Sequence, residues 1–577
     1  MTNRLTVAYQ LISALQKRGV KYIFGVPSGG FLPYLQAIEE VDGIEFVLTA
    51  HEGGAAFMAA TVGKLTGTPG VCFATFGPGA TNLSTGVGSA LLDRSPLIAL
   101  TDEVSDADIG QVVQMNIDHQ ALFAPLTKHT WRLVKDDVDH QVQRAFDYAC
   151  DGVCGPVHIG LPVDIADSVT ASSTPAYTPT NLSLSAQQRA SVDLNNRCHT
   201  VTGGTQSKQD NDSNKAVNTE VLNALCKQFT QAKRPVIAVG LRALSPDICT
   251  AIALFAQRYC LPVVLTPMAK GVIANDHPCY VGVLFHALSD CVAELHSQAD
   301  LVFAVGYDEV EFNYRQWVTS SRLIALDCVQ MQISALENCD VVQYQAPIAS
   351  TLNALADALE SAHSHYQWTL SDFNRVRETM AAHFAKQTEH FGPVSALRVL
   401  RQQLAQDGIM SCDVGAHTHL IGQYWSVNQP LVQLMSNGWS SMGYAIPSAI
   451  AAKLCQPEKQ VCAVIGDGGF LMTANELTVA KRLNLAIVFV LFSDSELALI
   501  RIKQDKRQAN HYGVCQSARI DPQSQSIFGV PVVSVTDTDS FAIELNKAFA
   551  MQQPIIVEAL FDSSDYNALV LKQNKRS

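Results

Sequence analysis

Short apolar runs alternate with helical patterns along most of the chain, and this alternation constrains the fold more than any other feature of the sequence. Strands that alternate with helices in this way form parallel sheets in α/β domains. The runs that read as strands are KYIFGVP, IEFVLT, GVCFAT and PLIALT, then RPVIAVG, LPVVLTP, ADLVFAVGYD and RLIALD, and finally GIMSCDVG, VCAVIGDGG, LAIVFVLFSD and QPIIVEALF. We therefore predict an α/β fold with three domains, each built on a sheet.

A polar segment separates the first two of these domains. It is rich in Ser, Thr, Asn, Gln and Asp and includes GGTQSKQDNDSNK. Such a composition buries too little apolar surface to offset the entropy of ordering the chain. We predict a partly disordered linker over residues 171–218, between domains at 1–170 and 219–360. A charged helical segment then leads into a third domain at 385–565.

The composition excludes several classes of protein. A net charge of −13 over 577 residues, without a block of Lys and Arg, argues against a nucleic-acid partner. The N-terminus lacks the apolar stretch of a signal peptide, and no apolar run is long enough to span a bilayer, so we expect no membrane association. The 15 cysteines form no CxxC pair and often lie in apolar runs, which suits a reducing cytoplasm better than a disulfide framework or a structural zinc site.

One apolar run, VCAVIGDGGFLM at residues 461–472, ends in Gly466, Asp467, Gly468 and Gly469. Glycines at such a point permit positive φ angles and close approach of other groups to the backbone. A carboxylate at the end of a buried strand is costly unless something positive meets it. The alternative is an ordinary strand-to-helix turn in which Asp467 caps the helix.

A second carboxylate follows the next strand. The segment TANELTVAKRL reads as a helix with Thr473 and Glu476 at capping-box spacing, and the strand LAIVFVLF leads to Asp494. A right-handed crossover would make the two strands parallel, so Asp467 and Asp494 should converge at the edge where α/β sheets bind ligands. Paired carboxylates suit Mg²⁺, which also recruits phosphate oxygens. The alternative for Asp494 is a solvated acid in a turn.

These motifs resemble those of thiamine diphosphate enzymes. GDG followed by a metal-ligand position is their signature, and NGWSSMGYAIPSAIAAK at 437–453 is similar to their second C-terminal landmark. HEGGAAFMAATVGKLTGTPGV at 51–71 and FGPGATNLSTGVGSALLDRSPLI at 76–98 resemble the acetolactate-synthase branch almost residue by residue. The resemblance covers nearly the whole chain except the polar linker. It implies three doubly wound parallel-sheet domains: pyrimidine-binding, central, and diphosphate- and Mg²⁺-binding.

The resemblance implies a catalytic role for Glu52. This position matches the glutamate that hydrogen-bonds the aminopyrimidine ring of thiamine diphosphate and favours the imino tautomer, whose nitrogen removes the thiazolium proton. The cofactor supplies the carbanion chemistry, and the protein orients it. The alternative is an acid that complements the dipole at a helix start.

The resemblance also implies the metal ligands and the cofactor cradle. Asp467 and Asp494 match the two side-chain metal ligands, and Glu496 matches the residue that offers a backbone carbonyl. The family usually has Asn where this chain has Asp494, and the extra charge should tighten the metal and weaken bare phosphate. Met442 matches the residue that props the cofactor in a bent shape; alternatively it is an ordinary core methionine. The remaining cofactor-binding positions are Gly415, Ala416, His417, Gly438, Gly466, Gly468 and Gly469, and His417 is alternatively a turn histidine.

Further residues are candidates for the acceptor side of the site. In residues 110–130, Gln114 matches a glutamine placed over the cofactor, although the loop is one residue longer than usual. His119 could move a proton near neutral pH, or be a polar loop histidine. Lys503 stands where biosynthetic acetolactate synthases carry tryptophan, and it or Arg501 could bind the carboxylate of an acceptor. The alternative for Lys503 is a solvated surface lysine.

The implied function is a thiamine diphosphate- and Mg²⁺-dependent carboligase. It would decarboxylate a 2-oxo acid, with pyruvate the expected donor, and couple the resulting enamine to a second carbonyl compound. Residues 299–317 resemble the flavin-free, catabolic type and lack GxGxxG, so FAD is not expected, although the sequence does not exclude it. A simple 2-oxo acid decarboxylase, a flavin-dependent oxidase and a non-catalytic homologue remain rival interpretations of the same motifs. The family implies a homodimer at least, with active sites at the subunit interface, and commonly a tetramer.

Overall fold

Three predominantly parallel sheets, one in each predicted domain, form the framework of the molecule, so the predicted fold class is confirmed. The computed structural model describes residues 6–169, 198–202, 217–311, 322–331, 333, 340–361, 365–516, 520 and 524–569. Within this part of the chain, no helix has both the length and the apolar character needed to cross a membrane.

The first domain contains a six-stranded parallel sheet with the strand order β2-β1-β3-β4-β6-β5. Its strands are β1 (Tyr22–Gly25), β2 (Glu45–Leu48), β3 (Gly70–Ala74), β4 (Leu97–Glu103), β5 (His129–Arg132) and β6 (Pro156–Pro162). Its helices are α1 (Val7–Lys17), α2 (Leu32–Glu40), α3 (Glu52–Thr66), α4 (Pro78–Leu92), α5 (His119–Phe123) and α6 (Val138–Cys150).

The central domain contains a seven-stranded sheet with the order β10-β9-β8-β11-β12-β13-β7. Its strands are β7 (Cys198–Thr202), β8 (Pro235–Val239), β9 (Val263–Leu265), β10 (Tyr280–Val283), β11 (Leu301–Val305), β12 (Arg322–Asp327) and β13 (Val341–Gln345). Its helices are α7 (Thr219–Gln231), α8 (Pro246–Tyr259), α9 (Ser289–His296), α10 (Ile348–Ser361) and α11 (Leu370–Ala385).

The outer strand β7 changes the interpretation of the predicted linker. The backbone of Cys198–Thr202 pairs in parallel with β13, so this part of residues 171–218 belongs to the central sheet. The central sheet therefore includes a strand from the predicted linker, because backbone pairing does not need an apolar sequence, and the partly disordered linker itself stays a prediction. Residues 170–197 and 203–216 lie outside the described part of the chain.

The third domain contains a seven-stranded sheet with the order β15-β14-β16-β17-β20-β19-β18, in which only β18 runs antiparallel to its neighbour. Its strands are β14 (Ile409–Cys412), β15 (Gln433–Met435), β16 (Val461–Gly466), β17 (Ile487–Ser493), β18 (Ser526–Ile527), β19 (Val530–Val535) and β20 (Ile555–Leu560). Its helices are α12 (Pro393–Gln403), α13 (Ala416–Tyr424), α14 (Ala445–Cys455), α15 (Asp467–Thr473), α16 (Leu477–Arg482), α17 (Ala498–Lys506), α18 (Thr538–Ala550) and α19 (Asp565–Leu569).

Successive residues of the buried strands face two different cores, as expected of a sheet covered on both sides. In β3, Val71 and Phe73 pack in one cluster, whereas Cys72 packs in another. In β16, Ala463 likewise packs in one cluster and its neighbour Val464 in another. Burial on both faces explains why these strands read as continuous apolar runs in the sequence instead of alternating ones.

The strand orders identify where each sheet can bind a ligand. In the third sheet the order reverses between β14 and β16, and in the first sheet it reverses between β1 and β3. A crevice opens at the carboxyl ends of the strands beside such a point, which is where open α/β sheets bind ligands. The glycine-flanked Asp467 follows β16 and therefore lies at one of these positions.

Candidate active site

Asp467 and Asp494 meet at the carboxyl edge of the third sheet. Strands β16 and β17 are parallel neighbours, and each carboxylate follows the end of its strand. The Asp467 carboxylate accepts an N–H bond from Gly468 at 2.8 Å and another from Ser495 at 2.7 Å. Because Ser495 directly follows Asp494, the second bond joins the two strand ends, and the predicted convergence of the carboxylates is confirmed.

The pair is electrostatically unfavourable without a cation. Burial, followed by the negative charge of Asp467, raises the pKa of Asp494 to about 7. Burial also raises the pKa of Asp467. A bound cation would relieve both effects, and carboxylate oxygens are ligands that Mg²⁺ prefers. The residues present therefore fit a divalent metal, which Asp467 and Asp494 would hold.

Glu496 uses its carboxylate elsewhere. Its Oε1 accepts a hydrogen bond from Arg501 at 2.6 Å and one from the Ser563 hydroxyl. Arg501 also donates to Asp505 at 2.8 Å and to Asn567 at 2.9 Å. The role of the Glu496 backbone carbonyl as a metal ligand stays a prediction. Because the Arg501 guanidinium is engaged by these acceptors, Arg501 is a poor candidate for binding an acceptor substrate.

Close packing explains the glycines around Asp467. Gly466 has a φ of −78°, and neither Gly468 nor Gly469 adopts a positive φ, so of the two properties that glycine permits here, these positions use close approach. A Cβ on Gly468 would lie 2.9 Å from the Met442 methyl carbon, and one on Gly469 would lie 2.4 Å from a carboxylate oxygen of Asp413. The side chain of Met442 therefore packs against the glycine turn.

Asp413 is a site residue that the sequence reasoning missed. It follows β14, and its buried carboxylate accepts N–H bonds from Val414 at 2.7 Å and from Gly443 at 2.8 Å. These bonds fix the turn that carries Met442, while burial raises the pKa of Asp413 to about 7. The sequence did contain a signal, because Asp413 ends an apolar strand just as Asp467 does.

The turn at Gly415, Ala416 and His417 begins α13 beside the glycine turn. A Cβ on Gly415 would lie 2.8 Å from the His417 ring, and one on Gly466 would lie 3.3 Å from it. Burial lowers the pKa of His417 to about 4, so the ring is neutral at pH 7. Its Nε2 is buried without a hydrogen-bond partner among the described residues. An unsatisfied buried nitrogen at this place fits contact with a bound polar group.

Gly438 lies at a contact between domains. Its N–H donates to the Asp93 carboxylate at 2.9 Å, and a Cβ on Gly438 would lie 2.4 Å from the carbonyl oxygen of Leu92. The neighbouring Arg94 pairs with Asp308 of the central domain at 2.7 Å. Gly438 thus helps to join the first and third domains, and its contact with the cofactor stays a prediction.

The helix α13 is anchored at its carboxyl end by a buried lysine of the central domain. Lys270 donates to the carbonyl oxygen of Ile421 at 3.3 Å and to that of Trp425. Burial lowers the pKa of Lys270 to about 7. In the unfolded chain this lysine would stay protonated up to its ordinary pKa of 10.5. Between these values the unfolded state binds more protons, so the stability of the fold rises with pH.

Lys270→Met should abolish this rise. We expect the free energy of unfolding of the wild type to increase between pH 7 and pH 10 by up to about 1.4 kcal/mol per pH unit relative to the variant. Denaturant unfolding at a series of pH values measures the difference. Lys227→Met, at an exposed position of the central domain, serves as the control. Parallel pH profiles for the wild type and Lys270→Met would contradict the expectation.

Glu52 opens α3 at the carboxyl edge of the first sheet and is buried. Its Oε2 accepts a hydrogen bond from the Asn82 side chain at 3.0 Å, and a Cβ on Gly79 would lie 3.3 Å from its Oε1. Asn82 and Gly79 both belong to α4, so this helix holds the carboxylate. Asn82 was not singled out from the sequence, although it lies within the GPGATN motif at residues 77–82.

The third domain supports the start of α3 through Glu476. The Glu476 carboxylate accepts N–H bonds from Ala50 at 3.2 Å and from His51 at 2.9 Å, directly before Glu52. Thr473 donates to the carbonyl oxygen of Gly443 at 3.0 Å. The predicted capping box between Thr473 and Glu476 is therefore wrong, because both side chains make tertiary contacts instead. Burial raises the pKa of Glu476 to about 7.

The acceptor-side candidates lie in different surroundings. Gln114 is exposed in the loop after β4, and Lys503 is exposed on α17. Lys503 is close enough to His419 for its positive charge to lower the pKa of that histidine further, after burial has lowered it. His119 is buried, and both of its ring nitrogens have hydrogen-bond partners. Its predicted role in moving protons stays untested, but neither nitrogen is free in this arrangement.

The three-domain fold and the two carboxyl edges define an enzyme that uses a diphosphate cofactor. One edge offers paired carboxylates, a glycine turn and an unsatisfied imidazole nitrogen for a metal and a phosphate. The carboxyl edge of the first sheet offers a buried glutamate oriented by an amide.

Comparisons with known proteins agree. Residues 5–122 match the thiamine pyrophosphate enzyme N-terminal TPP binding domain, residues 222–355 the central domain of this family, and residues 413–559 its C-terminal TPP binding domain. The chain belongs to the thiamine pyrophosphate enzyme family, on its acetolactate synthase-like branch. The predicted family and branch are thereby confirmed.

Several relatives match over nearly their full length. Acetolactate synthase from Bacillus subtilis is 29% identical over 570 residues, which covers 96% of this chain and 93% of the relative. The acetolactate synthase large subunit of Lactococcus lactis is 27% identical over 568 residues, with 96% and 92% covered. A probable acetolactate synthase large subunit of Methanocaldococcus jannaschii is 28% identical over 580 residues, with 97% and 92% covered.

Proposed function

We propose that this enzyme is a thiamine diphosphate- and Mg²⁺-dependent carboligase that decarboxylates pyruvate and couples the two-carbon unit to a second carbonyl compound. The observation that carries the proposal is the pair of edges just described: Glu52 held by Asn82, and Asp467 joined to the Asp494 strand end. The names of the relatives support a product of the acetolactate type.

Each edge has a distinct task. When bound, thiamine diphosphate supplies the carbanion chemistry. Glu52 holds a proton at the aminopyrimidine nitrogen, and Asn82 keeps its carboxylate in place. Met442 packs against the glycine turn and would support the cofactor from that side. Asp467 and Asp494 would hold Mg²⁺, which neutralises the diphosphate.

We propose a homodimer, or a tetramer of two such dimers, with Glu52 serving a cofactor bound to the partner. Apolar side chains are exposed beside both edges, which supports this assembly. Leu471 and Met472, just after the glycine turn, are 53% and 59% exposed, and Val113, in the loop that approaches Gly77, is 83% exposed. Large apolar side chains that cluster on a surface favour contact with another protein surface.

We do not propose that the enzyme binds FAD. At the carboxyl edge of the central sheet, Asp327 accepts two hydrogen bonds from Arg242, each at 2.9 Å. An acid at the end of a strand in such a sheet is the group that binds the ribose in dinucleotide sites, and here it is engaged by the protein itself.

We also propose a cytoplasmic location, which the free thiols of the described cysteines support.

Lys503 is the proposed contact for the carboxylate of the acceptor. Lys503→Ala should raise the KM of an acidic acceptor about tenfold and leave kcat nearly unchanged, because a point charge contributes mainly to binding. Steady-state kinetics with an acidic and an uncharged acceptor measure the effect, and only the acidic acceptor should be affected. The exposed Lys227→Met serves as the control. An unchanged KM for the acidic acceptor would remove the idea.

Mass spectrometry of the products tests the proposed function. The purified enzyme is supplied with thiamine diphosphate, Mg²⁺ and pyruvate, with a panel of further 2-oxo acids and aldehydes in parallel. We expect a product with a new carbon–carbon bond. Acetaldehyde alone would instead indicate the simple decarboxylase, a co-purified yellow flavin with peroxide would indicate an oxidase, and failure to bind the cofactor would indicate a non-catalytic homologue.

A further inference from the structure

His119 is held in one protonation state by its neighbours. The backbone N–H of Gly77 donates to its Nε2 at 3.0 Å, and its Nδ1 lies 2.9 Å from the Thr101 hydroxyl. A backbone N–H can only donate, so Nε2 must be unprotonated. In a neutral ring the proton is then on Nδ1, which donates to Thr101.

A second buried histidine, His158, is held in one tautomer in the same way. The Thr101 hydroxyl accepts from His119, so its own proton points to His158 Nε2 at 2.8 Å. His158 then carries its proton on Nδ1 and donates to the Thr130 hydroxyl at 2.7 Å. Burial lowers the pKa of His119 to about 4 and that of His158 well below its ordinary value, so both rings are neutral at pH 7.

The hydrogen bonds at the Glu103 end impose the same direction of donation independently. Glu103 is paired with Arg132, and its carboxylate accepts a hydrogen bond from the Gln120 amide nitrogen at 2.6 Å. The Gln120 amide oxygen therefore faces Thr130 and accepts its hydroxyl proton at 2.7 Å. Since both ends fix one direction of donation, no member can reverse without leaving a buried group unsatisfied.

At its other end, the hydrogen-bond chain reaches Gly77, at the edge of the first domain where Glu52 lies. Gly77 has a φ of +70° and immediately precedes α4. The first turn of α4 brings Gly79 against Glu52, and Asn82 from the next turn bonds the Glu52 carboxylate. A fixed amide at Gly77 thus sets the start of the helix that orients Glu52.

We propose that His119 is a positioning residue, held as the neutral Nδ1–H tautomer by a directional hydrogen-bond chain that runs through Thr101, His158, Thr130 and Gln120 to Glu103. It fixes the Gly77 amide and, through α4, the Glu52 carboxylate. This inference deepens the proposed function and rests on it, because Glu52 has its role only in that reaction.

The tautomers can be measured in the full-length, cofactor-free protein. We expect ¹⁵N-histidine NMR to show protonated Nδ1 and unprotonated Nε2 for two rings, with one signal lost in His119→Asn and the second in His158→Phe. A protonated Nε2 on His119 would overturn the proposal. Because the measurement needs no turnover, its result is independent of whether pyruvate is the substrate.

The carboxylate and imidazole groups also allow a competing interpretation. The ligand atoms of Glu103, His119 and His158 lie within 4.8 Å of one another, a separation that would suit a metal ion. Elemental analysis of the purified protein decides between the two. Stoichiometric zinc that disappears in His158→Phe would overturn the hydrogen-bond chain, and absence of metal is the expected result.

A change in one hydroxyl tests the link to Glu52. Thr101→Val should slow exchange of the thiazolium C2 proton of bound thiamine diphosphate roughly tenfold, because the buried hydrogen bond that orients His119 is lost, with little change in the KM for pyruvate. Thr101→Ser, which keeps the hydroxyl, should restore the rate. Thr127→Val, which removes a buried hydroxyl that donates to the Phe123 carbonyl at 2.8 Å, controls for lost stability. Equal rates in Thr101→Val and Thr127→Val would overturn the proposal.

Discussion

Glu52→Gln is expected to lower kcat by about 10²–10⁴-fold, the range that a positioned acid or base contributes to catalysis. Glutamine keeps the shape of the side chain and can still pair with the Asn82 amide, but it cannot hold a proton at the cofactor in the same way. The protein should remain folded, because Glu52 makes no ion pair among the described residues. Steady-state turnover of pyruvate, together with calorimetric binding of thiamine diphosphate, measures the two effects separately.

The control for this prediction is Glu39→Gln, an exposed glutamate on α2 of the same domain. It should retain full activity. The decisive comparison is the C2-proton exchange rate of the bound cofactor, which should fall with kcat in Glu52→Gln. If kcat fell while this exchange stayed fast, Glu52 would act at a later step than the one proposed here.

The framework was predictable because it depends on patterns that most strands repeat. All twelve apolar runs identified in the sequence coincide with strands of the three sheets. The position of Asp467 beside the Asp494 strand end was also predictable, because the handedness of a crossover fixes which strand ends share an edge. The strand β7 was not predicted, because its sequence lies in a polar segment without an apolar run.

The details of the site were less predictable because they depend on partners distant in sequence. Thr473 and Glu476 have the spacing of a capping box, yet Glu476 bonds the His51 amide, which lies 425 residues away along the chain. The sequence left His119 open between a residue that moves a proton and a polar loop histidine, and only the fold places Thr101 against one nitrogen and the Gly77 amide against the second. Local sequence cannot show which tertiary acceptor will outcompete a local one.

The second large effect is expected at the paired carboxylates. Asp467→Ala removes a metal ligand and also the acceptor for the N–H groups of Gly468 and Ser495. We expect metal-dependent cofactor binding to weaken by at least about 100-fold, near the upper end of the effects seen when the groups around a metal are disturbed. Calorimetric titration of thiamine diphosphate at fixed Mg²⁺ measures this loss. Asp539→Asn, at an exposed position on α18, is the control and should bind as the wild type does.

Asp494→Asn separates the effect of the negative charge from that of the ligand oxygen. Asparagine keeps an oxygen at this position while it removes the repulsion from Asp467. The metal should bind more weakly, by about tenfold, whereas metal-free diphosphate should bind more tightly.

The pKa of Asp494 of about 7 adds a pH signature. Below pH 7 the metal must displace a proton from the wild-type site, so its affinity should fall as the pH falls, by up to about tenfold per pH unit once the carboxyl of the free protein is protonated, and Asp494→Asn should lack most of this dependence. If the pH dependence of Mg²⁺ affinity were the same in both proteins, Asp494 would not be a metal ligand, and the family's asparagine position would have lost that role in this chain.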